Sequence, residues 1–166
     1  MNMDLALVGA TEMQAVLHGY AARAVGVEAT AWPAIAEDFR AMSAQRFADN
    51  GPGWAPLSPT TVQLKRAAGY PQPEKILYAT GALYDSLTGV TEHSVYESTP
   101  DHLTVGTSLP YAKYHQQGPR QIQVFGHASA TLPQRELVHL TEFDALRWGQ
   151  IVQLALGRVG VLTTGF

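Results

Sequence analysis

The chain of 166 residues contains no cysteine. Disulfides, thiolate metal sites and cysteine nucleophiles are therefore all excluded. Charge is also scarce, with Asp, Glu, Lys and Arg making up 15% of the residues, against about 25% in ordinary soluble proteins. Much of the surface must then be neutral, which suits a protein covered by neighbouring copies better than a solitary one. No window approaches the ~18 apolar residues needed to span a bilayer, and Met1 to Ala10 lacks the basic start of a secretory signal. We expect no membrane partner and assembly in the cytoplasm. Basic runs are missing too: Lys65-Arg66 is the longest, and the net charge is −3. This weighs against binding nucleic acid without regard to sequence, which rests on clustered cations releasing counterions.

What is present fits one domain spanning 1–166, with a core over about 30–157 and a tail, 158–166, that a neighbour would order. A chain of this size buries roughly 70% of its unfolded surface, enough to fold alone. Residues from about 4 to 48 read as helical, with a break near Gly26 to Thr30. Beyond the break Trp32, Ile35, Phe39, Met42 and Phe47 recur at three- to four-residue spacing, Thr30 reads as the N-cap, and Pro33 falls in the first turn. Asn50-Gly51-Pro52-Gly53 stops this helix. Ser58-Pro59 opens the next one, which runs to about Ala68 and ends at Gly69. After a loop over 70–76, Thr80-Gly81 opens a short helix carrying Leu83 and Leu87.

From Thr88 the period changes to two. Val90 to Glu97 and Leu103 to Thr107 read as antiparallel strands around a turn at Ser98-Thr99-Pro100-Asp101. Pro110 to Gln116 reads as a helical turn ended by Gly118-Pro119, Gln121 to Phe125 as a third strand, and Leu137 to Leu140 as a fourth strand or a connector. Thr141 caps a last helix whose Phe143, Leu146, Trp148, Ile151, Val152, Ala155 and Leu156 form a broad apolar surface, with Gly157 at its end. The fold class is α+β: N-terminal helices, a small antiparallel sheet and a C-terminal helix.

Converging chemistry is hard to find. The six histidines (18, 93, 102, 115, 127 and 139) include no pair four apart on one helical face, so we expect no metal site. There is no G-x-S-x-G elbow, Walker loop or Rossmann fingerprint, and no facing carboxylate pair. Catalytic and cofactor-binding residues are expected to be none. Two rival readings stay open: a small soluble hydrolase using His115 as base, and a nucleic-acid-binding module in which Lys65, Arg66, Lys75 and Lys113 converge.

A definite order of motifs remains. Gly53-Trp54-Ala55-Pro56-Leu57-Ser58 is followed by Ile76-Leu77-Tyr78-Ala79-Thr80-Gly81-Ala82-Leu83, then by Tyr111-Ala112-Lys113-Tyr114-His115-Gln116-Gln117-Gly118, then by Pro133-Gln134-Arg135 before the last helix. This set resembles the phage virion morphogenesis family, the Mu-like tail-completion proteins, over about residues 32 to 155. Two features depart from it: the stretch from Gln117 to Pro133 is particular to this chain, and Gln134-Arg135-Glu136 replaces smaller or apolar residues around the arginine.

The resemblance implies a non-enzymatic protein of the head–tail junction or tail end, acting in the virion as a homo-oligomeric ring, with a hexamer as first expectation. Its neighbours would be other neck and tail proteins, the connector and the tail tube, and phage DNA would pass through the lumen without specific binding. Structural or interface candidates are Trp54, Leu57, Gly81, Leu83, Tyr111, His115, Gln116 and Arg135. Trp54 and Leu57 would pin a loop to the core, and Gly81 would permit a tight turn. Tyr111 and His115 would share one side of a helical turn, in internal hydrogen bonding or in a subunit contact. Arg135 would bridge to an acidic group of its own chain or a neighbour's.

Overall fold

The structure, a computed structural model, describes residues 10–51, 53–124 and 128–162. The elements in order are α1 (Ala10–Ala48), α2 (Pro59–Ala67), α3 (Ala82–Thr88), β1 (Ser94–Ser98), β2 (Leu103–Thr107), α4 (Ala112–Gln116), β3 (Arg120–Val124), β4 (Ala128–Leu132) and α5 (Glu142–Leu162). The class is α+β, as read from the sequence. The strands form two separate pairs, β1 with β2 and β3 with β4, where one small sheet was expected. The chain divides into two compact units, one of Met1–Ile35, Ser98–Leu103 and Phe143–Phe166, the other of Ala36–Glu97 and Thr104–Glu142.

In the first unit Val27, Ala31 and Ala155 are buried together, with Trp32, Ile151 and Val152 packed against them. The Trp32 indole N–H donates to the Thr99 carbonyl at 2.7 Å, and Ser98 Oγ to Glu28 Oε1 at 3.3 Å, tying the turn to α1. These contacts explain why the expected break at Gly26 to Thr30 does not occur. Gly costs about 1 kcal/mol and Pro about 3 kcal/mol inside a helix, but the buried stripe runs straight through both. Thr30 is not an N-cap; its hydroxyl donates back to the Gly26 carbonyl at 2.6 Å, the bond of a helix-interior threonine. Pro33 lies inside the helix, and both it and Ala29, whose carbonyl it cannot serve, are exposed to water. The last helix likewise continues through Gly157 to Leu162; residues 163–166 of the expected tail lie outside the described residues. Only part of its broad apolar surface is covered: Phe143 and Leu146 remain 69% and 68% exposed.

In the second unit Phe47 is the centre. Its ring meets Trp54 edge-on at 5.5 Å and Tyr84 at 5.4 Å, and Phe47 and Leu87 are 1% and 2% exposed. Burying each such side chain contributes about 1.5–3 kcal/mol. Helix α2 begins as its sequence dictates: Ser58 Oγ accepts from the Thr61 amide at 3.1 Å and Pro59 opens the first turn. β1 starts at Ser94 rather than Val90 because a turn intervenes, closed by Ser94 N–H to Thr91 O at 3.1 Å and Thr91 N–H to Ser94 Oγ at 3.0 Å. β3 and β4 pair antiparallel with Arg120 opposite Leu132 and Val124 opposite Ala128. The partner of the third strand is therefore Ala128–Leu132. Leu137 to Leu140 forms no strand; it takes its hydrogen bonds from side chains instead.

Candidate functional site

The site is built around an irregular segment, Gln134 to Val138, held by side chains from two distant motifs. Trp54 is positioned first. Gly51 takes φ +66° and lies so close under the indole that a Cβ there would stand 2.0 Å from the ring. With the ring seated, Trp54 Nε1–H donates to the Glu136 carbonyl at 3.0 Å. Gln116, the last residue of α4, acts as a surrogate strand: its Oε1 accepts from the amides of Leu137 at 2.8 Å and Val138 at 3.0 Å, and its Nε2 donates to the Val138 carbonyl at 2.8 Å. The Arg135 amide donates to the His115 carbonyl at 2.9 Å, and Gln134 Nε2 to the Gln116 carbonyl at 3.1 Å.

Arg135 is 6% exposed, and it points its guanidinium at the loop after Trp54: Nε and Nη2 donate to the Ala55 carbonyl at 3.1 and 3.0 Å. No carboxylate among the described residues reaches it, so the expected acidic partner within its own chain is replaced by a backbone dipole. Burial pushes this guanidinium below its ordinary value. His115 lies beside it. Burial first, and the Arg135 charge second, hold the His115 imidazole below the usual histidine range. Its Nδ1 is buried without a hydrogen-bond partner.

Six of the eight residues singled out from the sequence line one cleft of about 260 Å³: Leu57, Gly81, Leu83, Tyr111, His115 and Arg135. Trp54 and Gln116 are not in its lining; they hold the segment that carries Arg135. Gly81, with φ +98°, caps α3, and a Cβ there would press on the Tyr78 hydroxyl and an Asp85 oxygen at 3.2 Å. Tyr111 immediately precedes α4 and is 41% exposed. The structure adds Lys65, Leu77 and Tyr78 to the lining. Lys65 Nζ donates to the carbonyls of Lys75 at 2.7 Å and Gln72 at 3.3 Å. Leu77 takes φ +56°, a left-handed conformation costing on the order of 1–3 kcal/mol for a bulky residue. Glycine or asparagine would have announced such a turn in the sequence; leucine does not.

At about 260 Å³ the cleft lies at the small end of ligand pockets, which run to roughly 300–1,000 Å³. Among the described residues no cluster of His, Asp or Glu could hold a metal, and no helix is long and apolar enough to cross a membrane. Each of the four cations that might have formed a nucleic-acid surface has a contact within its own chain, which leaves some of its donors unused. Lys65 serves two carbonyls, Arg66 pairs with Glu74, Lys75 lies over Tyr78 and Tyr84, and Lys113 lies over Tyr114.

The polar side chains of the motifs thus tie separate stretches of backbone together. The sequence matches the model of the phage virion morphogenesis family over residues 8–157, and the chain belongs to that family. Its role lies in the structure and assembly of a bacteriophage particle. Comparison with curated proteins and with solved structures gave no match.

Proposed function

We propose that the chain is a tail-completion or neck component of a tailed phage, without enzymatic activity, that works as a ring of identical copies between the connector and the tail tube. The observation that carries this reading is the use made of the motif side chains. Trp54, Gln116 and Arg135 each satisfy backbone groups of their own chain, which fixes a surface rather than activating a substrate. In catalytic triads the general-base histidine is oriented by an acceptor at Nδ1. His115 has none, and the nearby charge is a cation that disfavours its protonation.

The sparse charge of the chain, 15% of residues, suits repeated contact between copies. A head-to-tail interface closes into a ring when its rotation divides a full turn, and the sixfold symmetry of phage tails makes a hexamer the expected closure. The net charge of −3 fits a lumen through which DNA slides without adhering. A phage lacking this protein should accumulate filled heads and tails that fail to join, with joining restored by the protein supplied in trans. Normal joined particles in its absence would overturn the proposal.

A further inference from the structure

We propose that the cleft at Arg135 is the socket of the contact between copies, and that its occupant is the turn carrying Val90 and Glu92 of the next copy. This inference rests on the ring reading above and names its interface. The socket side is defined by charge and by unused donors. Lys65 and Arg135 both line the cleft, and no carboxylate does. Each has N–H bonds left after serving the carbonyls of its own chain: an ammonium has three donors and a guanidinium five, and two of each are used. Leu57, Leu77 and Leu83 supply an apolar wall. Such a lining calls for a carboxylate next to a small aliphatic group, and the 260 Å³ admits side chains rather than a larger ligand.

Among the described residues, the turn of Val90 and Glu92 displays that combination in rigid form. Val90 is 83% exposed, and the Glu92 side chain is 86% exposed with only the adjacent His93 near it, at 3.5 Å. The turn beneath them is fixed, since Ser94 Oγ shares its one hydrogen between the carbonyls of Ser86 at 2.9 Å and Gly89 at 3.3 Å while accepting from the Thr91 amide at 3.0 Å. A projection ordered in advance loses little entropy on docking. Several other exposed acids have partners within the chain: Glu74 with Arg66, Glu37 with Arg40, and Asp101 with Thr99 and His102. Val90 and Glu92 are absent from the cleft lining, so one copy cannot fill its own socket with them, and the contact is heterologous.

The absence of cysteine makes a clean test possible, because only introduced thiols can pair. Thr80 is an exposed residue of the cleft lining, and Gln63 is an exposed residue of α2 outside it. Full-length His93→Cys protein, which keeps Val90 and Glu92 and places the thiol on a side chain 43% exposed, is mixed with Thr80→Cys protein under mild oxidation, beside a control mixture of His93→Cys with Gln63→Cys. The mixed disulfide dimer should form in the first mixture at least about tenfold more than in the control, since bridging requires Cα atoms within about 7 Å. Equal yields would overturn the contact. The mass of the unaltered protein in the same buffer separates the two levels. A ring with no selective cross-link rejects this interface and leaves the ring standing, whereas a lone chain with no cross-link rejects both.

Discussion

Replacing Gln116 by alanine should remove more stability than its position at a half-buried helix end would indicate. One amide side chain serves three backbone groups, the N–H of Leu137, the N–H of Val138 and the C=O of Val138. Leu137 is 4% exposed, so water cannot readily take over. At about 1 kcal/mol net for each bond, and more for a buried group left unpaired, the loss sums to about 3 kcal/mol. That is a large part of the 5–15 kcal/mol that stabilises a typical domain. With a urea slope of roughly 1–3 kcal/mol/M, the midpoint should fall by about 1–3 M at an unchanged slope. Unfolding is best followed through Trp54 emission with Trp32 and Trp148 changed to Phe, which confines the signal to the unit containing Gln116. Gln116→Glu keeps the acceptor but turns a carboxylate oxygen toward the Val138 carbonyl; it should be as damaging near pH 7 and partly recover when the carboxyl is protonated. A midpoint shift for Gln116→Ala below about 0.3 M would refute the surrogate-strand role.

Gly51→Ala and Gly53→Ala offer a matched pair: both glycines have positive φ, but only Gly51 lies against the Trp54 ring, so Gly51→Ala should cost about 2–4 kcal/mol and Gly53→Ala only about 1 kcal/mol by thermal unfolding. Leu87→Ala empties a site that is 2% exposed and should cost about 2–5 kcal/mol in the same assay. His115 yields a pH dependence with a definite sign. Its folded pKa lies below the ordinary 6.5, so on acidification through that value the unfolded chain takes up a proton that the folded chain refuses. The contribution is neutral above about pH 7 and destabilising as pH falls toward the folded pKa. Urea midpoints at about pH 7.5 and about pH 5 should differ less in His115→Gln than in the unaltered protein.

Local chemistry made part of this fold readable in advance. Ser58-Pro59 and Gly69 bracket α2, and Gly81 with Leu83 and Leu87 marks α3, because caps and left-handed turns act within a few residues. Long-range packing overrode the same kind of signal at Gly26, Thr30 and Pro33, where the Val27, Ala31 and Ala155 cluster keeps α1 continuous. The order of the motifs identified Trp54, Leu57, Gly81, Leu83, Tyr111, His115, Gln116 and Arg135 but not the division of labour among them. Gln116 and Arg135 bind backbone groups 21 and 80 residues away, and backbone groups carry no sequence mark. Leu77 in a left-handed conformation was equally silent.

Imaging of purified phage particles carrying a tag on this protein tests the central claim most directly. The expected result is label on a sixfold ring where the tail meets the head, on every joined particle. Label spread over the capsid shell, or particles that are complete and unlabelled, would contradict it.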